Sequence, residues 1–250
     1  MSAAGSRVGL VTGAAGGLGA VLAAGLHGAG YRVALADTDE RAVAAAATAL
    51  DPAGETAMAV ALDVRDKEDW RRALAAVLER WGEAHVLVNN AAMTVARPVM
   101  DIDPDEFDAV MAVNVRGTFL GCQVFGAHFR DRGHGRIVNL ASLAGQNGGT
   151  ATGAHYAASK GAILTLTKVF ARDLASGGVT VNAIAPGPLD TPAVRRTLDE
   201  DRLAGLRSAI PVGQIGDPGF VAELVVHLAS PGASFATGAT WDVNGGLYMR

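Results

Sequence analysis

The chain has 250 residues, half of them apolar, enough to bury one sizeable core. Its 21 Lys and Arg against 25 Asp and Glu leave a net charge of −4, which excludes an electrostatic footprint for nucleic acid or an anionic membrane. A single cysteine, Cys122, excludes an internal disulfide framework and reads as a small core residue. The first residues lack the basic start and apolar run of a signal peptide, and no apolar stretch reaches the roughly 18 residues of a membrane span. A soluble cytoplasmic protein is expected.

Taken in chain order, Arg7 to Val11 is a short apolar run of the kind a buried parallel strand shows. Thr12-Gly13-Ala-Ala-Gly16-Gly17-Leu18-Gly19 follows, then a helical pattern through Val21, Leu22 and Leu26. Strand, glycine-rich turn and helix form the context in which such glycines signify dinucleotide binding. Gly13 permits the sharp exit from the strand, Gly17 lets backbone approach a pyrophosphate, and Gly19 lets helix and strand pack closely. Tyr31 to Ala36 is the second strand and ends in Asp37, about 20 residues past the loop, where a ribose-binding acid is expected. A carboxylate there accepts from both ribose hydroxyls and repels a 2′-phosphate, so the expected coenzyme is NAD. Arg41 falls on the following alanine-rich helix and faces solvent. Ala57 to Leu62 is the third strand, and Asp63-Val64 at its end is placed to meet an adenine edge.

Lys67 to Trp81 has helical periodicity, with Trp70 and Trp81 packing on the sheet, and Ala84 to Val88 is the fourth strand. A helical region from Pro104 to about Phe129 precedes the fifth strand, Gly135 to Leu140. Next comes a helix from His155 to Leu174, closed by Gly177-Gly178. Tyr156 and Lys160 stand four residues apart on it, which puts phenol and ammonium on one face. A tyrosine is protonated at neutral pH, with a pKa near ~10, and a cation beside it draws that value down. The pair reads as a tuned proton donor and acceptor, with Ser142 one short loop upstream. Val179 to Ile184 is the sixth strand. Pro186-Gly187-Pro188 opens a region of poor periodicity, 187–215, the natural place for a substrate lid. Pro218 starts another helix and Ala239 to Val243 is a last strand. The alternation predicts an α/β fold of one doubly wound Rossmann-type domain over 1–250, with about seven parallel strands and helices on both faces.

These motifs together resemble the short-chain dehydrogenase/reductases in their single-domain form, over essentially the whole chain. Thr12 to Gly19 fits the family's Thr-Gly-x-x-x-Gly-x-Gly loop. Asn89-Asn90-Ala91-Ala92 fits its Asn-Asn-Ala-Gly motif, with alanine in the final glycine position. Asn114 matches the family's helix asparagine, Ser142 with Tyr156 and Lys160 its catalytic residues, and Pro186, Gly187 and Thr191 its loop over the nicotinamide. The resemblance implies catalytic roles for Asn114, Ser142, Tyr156 and Lys160. It implies coenzyme contacts from Gly13, Gly17, Leu18, Gly19, Asp37, Asp63, Val64, Asn90, Ala91, Tyr156, Lys160, Pro186, Gly187 and Thr191.

The implied reaction interconverts a secondary alcohol and a ketone by hydride transfer, with Tyr156 moving the proton, Lys160 lowering its pKa and holding the ribose, and Ser142 orienting the substrate oxygen. Asn114 is expected to position a water between Lys160 and solvent. The stretch from Gln146 to Gly153 leaves space for a ring or acyl chain, and Leu143, Met93, Val95 and Leu189 could wall it, which points to an apolar substrate. Alternatives are a 3-oxoacyl thioester and a nucleotide-sensing protein without chemistry. The six histidines lack metal-ligand spacing, so no metal is expected, and His155 is read as lining an edge. Arg130, Arg132 and Arg172 could make a basic patch at the site's mouth but read better as solvated side chains. Apolar residues spread round the helix after Tyr156 (Ile163, Leu164, Leu166, Val169, Phe170) call for a second partner. With the family's habit, they predict a homotetramer, or a dimer.

Overall fold

Short apolar runs, each closed by a polar residue or a glycine turn, form seven parallel strands in a computed structural model that describes residues 7–149, 152–191, 194–195 and 199–250. The strands are β1 (Val8–Thr12), β2 (Arg32–Asp37), β3 (Ala57–Ala61), β4 (Val86–Asn89), β5 (Gly135–Leu140), β6 (Val179–Pro186) and β7 (Thr240–Val243). Their order across the sheet is β3-β2-β1-β4-β5-β6-β7. The order in which strands are added therefore reverses between β1 and β4, the switch point at which such sheets bind ligands. Strands β1, β4, β5 and β6 are buried along their whole length, as a sheet covered on both faces requires. The predicted strands agree within two residues at each end.

Helices α1 (Gly17–Gly28), α2 (Glu40–Leu50), α3 (Lys67–Trp81), α4 (Pro104–Met111) and α5 (Gly117–Arg132) alternate with the first five strands. A short α6 (Ala144–Asn147), the long α7 (Ala154–Leu174), α8 (Glu200–Ala209) and α9 (Pro218–Ala229) follow. One face of the sheet is covered by a core containing Trp70, Phe125, Phe129 and Ile137, the other by one containing Leu22, Leu26, Val221 and Val225. Trp70 is fully buried, donates its indole N–H to the Val64 carbonyl at 2.9 Å and meets Phe125 edge-on, whereas Trp81 is only half-buried. Cys122 is core, as expected, and burial pushes its thiol up to about 12.

Two predicted features differ. The helical region after Pro104 is interrupted: residues Ala112–Arg116 form a π turn between α4 and α5, and Asn114 sits at its centre. The aperiodic region 187–215 holds a real helix, α8, started by the Asp199 carboxylate accepting from Arg202 N at 2.9 Å. Only Leu203 of α8 is buried, so it shows almost no apolar stripe to read. Some expectations lie outside the described residues: the N-terminal segment 1–6, residues 150–151 of the Gln146 to Gly153 stretch, and residues 192–193 and 196–198 of the lid. Among the described residues, no helix is long and apolar enough to cross a membrane.

Candidate active site

The turn after β1 is built from contacts that only glycine allows. Gly13 has φ +66°, and a Cβ there would lie 2.9 Å from Ala91 Cα; at Gly19 a Cβ would lie 2.0 Å from the Gly13 carbonyl oxygen. Asn90 ties this turn to the end of β4 by donating from Nδ2 to Thr12 O at 2.9 Å. Thr12 Oγ1 in turn accepts from Asn90 N and Ala91 N, both at 3.0 Å. Asp37, at the end of β2, accepts from Ala15 N at 3.1 Å and so faces the glycine turn.

Between these strand ends lies a cavity of about 260 Å³ lined by Gly13, Asp37, Asp63, Val64 and Ala91, with Thr38, Leu62, Arg65, Ala92 and Val113. Apolar side chains from Leu62, Val64 and Val113 with the Asp37 and Asp63 carboxylates suit an adenosine. Gly17 and Leu18 lie instead on the first turn of α1, whose free N–H groups suit a phosphate. Arg65 carries no motif in the sequence, yet it shapes this cavity. Arg65 grips Asp63 in a two-pronged ion pair, Nε to Oδ1 at 2.9 Å and Nη2 to Oδ2 at 2.6 Å, and holds that carboxyl below its ordinary range. Among the described residues lining this cavity, Arg65 is the one cation, and it is paired. No described non-glycine residue has positive φ, so Ala92 fits where the family has glycine.

A second cavity, about 650 Å³, opens beyond β5 and β6 and is lined by Ser142, Leu143, Tyr156, Pro186, Gly187 and Pro188, with Val194 and Leu206 across from them. The lining is mostly apolar. Leu143 walls it as expected, but Met93, Val95 and Leu189 do not. Leu189 pairs with Gly216 and packs on the core below. Arg202 is the cation at this cavity's edge, a residue the aperiodic sequence of α8 concealed. Pro186 and Gly187 are pinned by Leu143 N donating to Pro186 O and Gly187 N to Val243 O, at 2.9 and 2.8 Å. Thr191 lines neither cavity; its Oγ1 accepts from Val194 N at 3.4 Å.

Ser142 Oγ accepts from Ala144 N at 3.1 Å, which leaves its O–H free to donate into the cavity. Tyr156 is held up from its ordinary pKa by burial, and the hydroxyls of Ser142 and Thr94 draw it partly back. Lys160 Nζ lies 5.6 Å from the Tyr156 ring centroid and donates to Leu140 O at 2.6 Å. Buried without a carboxylate partner, its ammonium is lowered to about 8. The expected lowering of the phenol by Lys160 is not seen here: burial holds Tyr156 up, and the hydroxyls of Ser142 and Thr94 are what draw it back. Thr94, two residues past the Asn-Asn-Ala-Ala motif, was not foreseen.

Asn114 is fully buried. Its side chain grips the loop after β4, accepting from Met93 N at 2.7 Å and donating to Met93 O at 3.1 Å, and also donates to Ser159 Oγ on α7 at 2.9 Å. Single π turns of this kind recur at functional sites. His155 does not line an edge: it has no exposed surface and lies beneath the start of α7. Arg130 and Arg132 end α5 and lead into the start of β5, while Ser142 follows its finish, so these two arginines lie at the opposite end of the sheet from the site. All three arginines are exposed. Among the described residues, no group of three or more His, Cys, Asp or Glu could hold a metal ion.

A doubly wound sheet with a glycine turn at its switch point, next to a buried Tyr–Lys pair, defines a dinucleotide-binding protein equipped for proton transfer. The family model described as enoyl-(acyl carrier protein) reductase matches residues 13–248. The chain is 37% identical to the 3-oxoacyl-(acyl-carrier-protein) reductase FabG of Vibrio cholerae, covering 97% of this chain and 98% of that one. It is 39% identical to the 2-(R)-hydroxypropyl-CoM dehydrogenase of Xanthobacter autotrophicus, covering 96% and 98%. The 3-ketoacyl-(acyl-carrier-protein) reductase of Brucella melitensis, complexed with NADH, superposes with a TM-score of 0.89 at 32% identity over 98% of this chain and 99% of that one. An actinorhodin polyketide ketoreductase variant with NADPH gives 0.90 at 35% identity over 97% of both. The chain belongs to the short-chain dehydrogenase/reductase family. It is an oxidoreductase that acts on CH–OH groups with a nicotinamide coenzyme.

Proposed function

We propose that the protein interconverts an apolar secondary alcohol and its ketone with NAD(H). The observation that carries this reading is the mostly apolar 650 Å³ cavity with the hydroxyls of Ser142 and Tyr156 on one wall. The coenzyme supplies or receives the hydride. In ketone reduction, the Tyr156 phenol passes its proton to the carbonyl oxygen while Ser142 donates a hydrogen bond to the same oxygen. In alcohol oxidation, the Tyr156 phenolate takes the hydroxyl proton. Lys160 stabilises that phenolate and holds the ribose hydroxyls, and Asn114 holds the Met93 loop and α7 in register at the proton's exit.

Gly13, Gly17, Leu18 and Gly19 receive the pyrophosphate, Asp37 the adenosine ribose, and Asp63 with Val64 the adenine. Asn90, Ala91, Pro186 and Gly187 would flank the nicotinamide, and Thr191, which lines neither cavity, would reach it only from the lid. NAD is favoured over NADP because Asp37 repels a 2′-phosphate and Arg65, the cation lining that cavity among the described residues, is already engaged by Asp63. The region 187–215, with α8, acts as a lid over the substrate cavity.

A second reading, a 3-oxoacyl thioester as substrate, is favoured by Arg202 at the cavity's edge, which could meet the phosphate of a pantetheine arm. The two separate in one absorbance assay at saturating NAD(H) and NADP(H), run on 1-phenylethanol, sorbitol, 3-hydroxybutyryl-CoA and acetoacetyl-CoA. The first reading expects the aromatic alcohol to turn over fastest, with NAD. Faster turnover of the thioesters would transfer the assignment to the second reading, and a preference for NADP would overturn the role given to Asp37.

A further inference from the structure

Helix α7 begins on Gly153, which has no side chain to cap the free N–H groups of its first turn. One of those groups belongs to Tyr156. His155 Nδ1 accepts it, from Tyr156 N at 3.0 Å. Accepting there requires a free lone pair on Nδ1, so the ring proton sits on Nε2. Nε2 faces Glu106 Oε1 on α4 at 3.2 Å and donates to it. Glu106 is held in turn by Arg97, Nε to Oε1 at 3.1 Å and Nη2 to Oε2 at 2.7 Å. The chain thus joins three segments, the loop after β4, α4 and the first turn of α7.

The same loop is fixed at two further points, by Asn114 on Met93 and by Gly153 N donating to Val95 O at 3.0 Å. Between those points it carries Thr94, whose hydroxyl bears on the Tyr156 phenol. A buried histidine linked at both ring nitrogens has one tautomer and one orientation available. We propose that Arg97, Glu106 and His155 form a positioning device that sets the backbone of Tyr156, and with it the phenol, against the Met93 to Arg97 loop. The device rests on Tyr156 being the proton donor. His155 and Glu106 touch no reacting atom; they act through the tyrosine they place. Displacing a reacting group by about an ångström can cost on the order of a hundredfold in rate.

Three variants test this, read by amide exchange and by kinetics on 1-phenylethanol with NAD and acetoacetyl-CoA with NADH. His155→Asn keeps an acceptor at the position of Nδ1; His155→Gln keeps a donor toward Glu106 but moves its oxygen out of reach of Tyr156 N. Glu106→Ala removes the group that selects the tautomer. Exchange of the Tyr156 amide is expected to accelerate about fivefold or more in His155→Gln, less in Glu106→Ala, and to stay near wild type in His155→Asn. Turnover number per folded active site, counted by NADH titration, should follow the same order, falling about tenfold or more in His155→Gln while the KM for coenzyme holds. Wild-type exchange at Tyr156 in both His155→Gln and Glu106→Ala would overturn the proposal, as would equal loss in His155→Asn and His155→Gln. Amide exchange decides the point whether or not either substrate turns over. Tyr156→Phe runs alongside: if that variant keeps full turnover, the role of the phenol fails, whatever the exchange shows.

Discussion

Lys160 carries the sharpest consequence at the scale of a single residue. Its ammonium is 3% exposed and lacks a carboxylate, which lowers its pKa from 10.5 to about 8. Between those values the unfolded chain binds a proton there that the folded chain does not, so this group's contribution to stability rises as pH climbs from about 8 to 10.5. Below about pH 8 the buried charge costs the fold steadily, about 3 kcal/mol on the linkage relation. Lys160→Met removes that cost and forfeits one hydrogen bond to Leu140 O, worth about 1 kcal/mol. Denaturant titrations at pH 7 should show Lys160→Met more stable by about 2 kcal/mol though inactive, with the advantage gone by roughly pH 9.5 and reversed by about 1 kcal/mol above pH 10.5, where only the lost hydrogen bond counts. An equal or lower stability at pH 7 would mean that the lysine is not held at the cost assigned here. Tyr156, Lys160, Ser142 and Asp37 were legible because their spacing is local or follows a strand end. The roles of Thr94, Arg65 and Glu106 were not, because each depends on a contact made only once the chain has folded.

Among the elements, the strands and α3 were legible because apolar runs and 3.6-residue periodicity report burial directly, whereas α8 carries too little buried surface to show either. The π turn was invisible for another reason: one extra residue in a helical turn leaves no mark in a pattern that is apolar on both sides. Helices α5 and α7 share an exposed apolar face. Phe119 and Phe170 meet at 5.7 Å with their rings tilted, Phe119 and Val169 remain 38% and 44% exposed, and Phe119 lines a groove with Met111, Val115 and Leu166. A homotetramer is the proposed occupant of this face, formed by further copies of the chain. Light scattering should give a mass near four times the 25.4 kDa chain, and Phe119→Glu with Val169→Glu should reduce it to a smaller species with the fold retained. A monomeric wild type would contradict the assignment.

For the molecule as a whole, topology does the work that sequence spacing only suggests. The strand order brings the ends of β1, β2, β3 and β4 round one cavity and those of β5 and β6 round the other, so residues as far apart in sequence as Gly13 and Val113 line the first, and Ser142 and Leu206 the second. That convergence was legible from alternation and glycine placement. The apolar wall was only partly so, since Leu143 lines the cavity while Leu189 turns to the core. Helix direction puts Arg130 and Arg132 at the far end of the sheet and rules them out of a basic patch at the site's mouth. All of the proposed chemistry depends on the phenol of Tyr156 moving a proton as hydride crosses. The most direct test measures turnover of Tyr156→Phe under saturating coenzyme, beside its affinity for NADH by fluorescence. Turnover should fall about a thousandfold while NADH affinity stays within about threefold of wild type. Undiminished turnover in a variant that binds NADH normally would contradict the account.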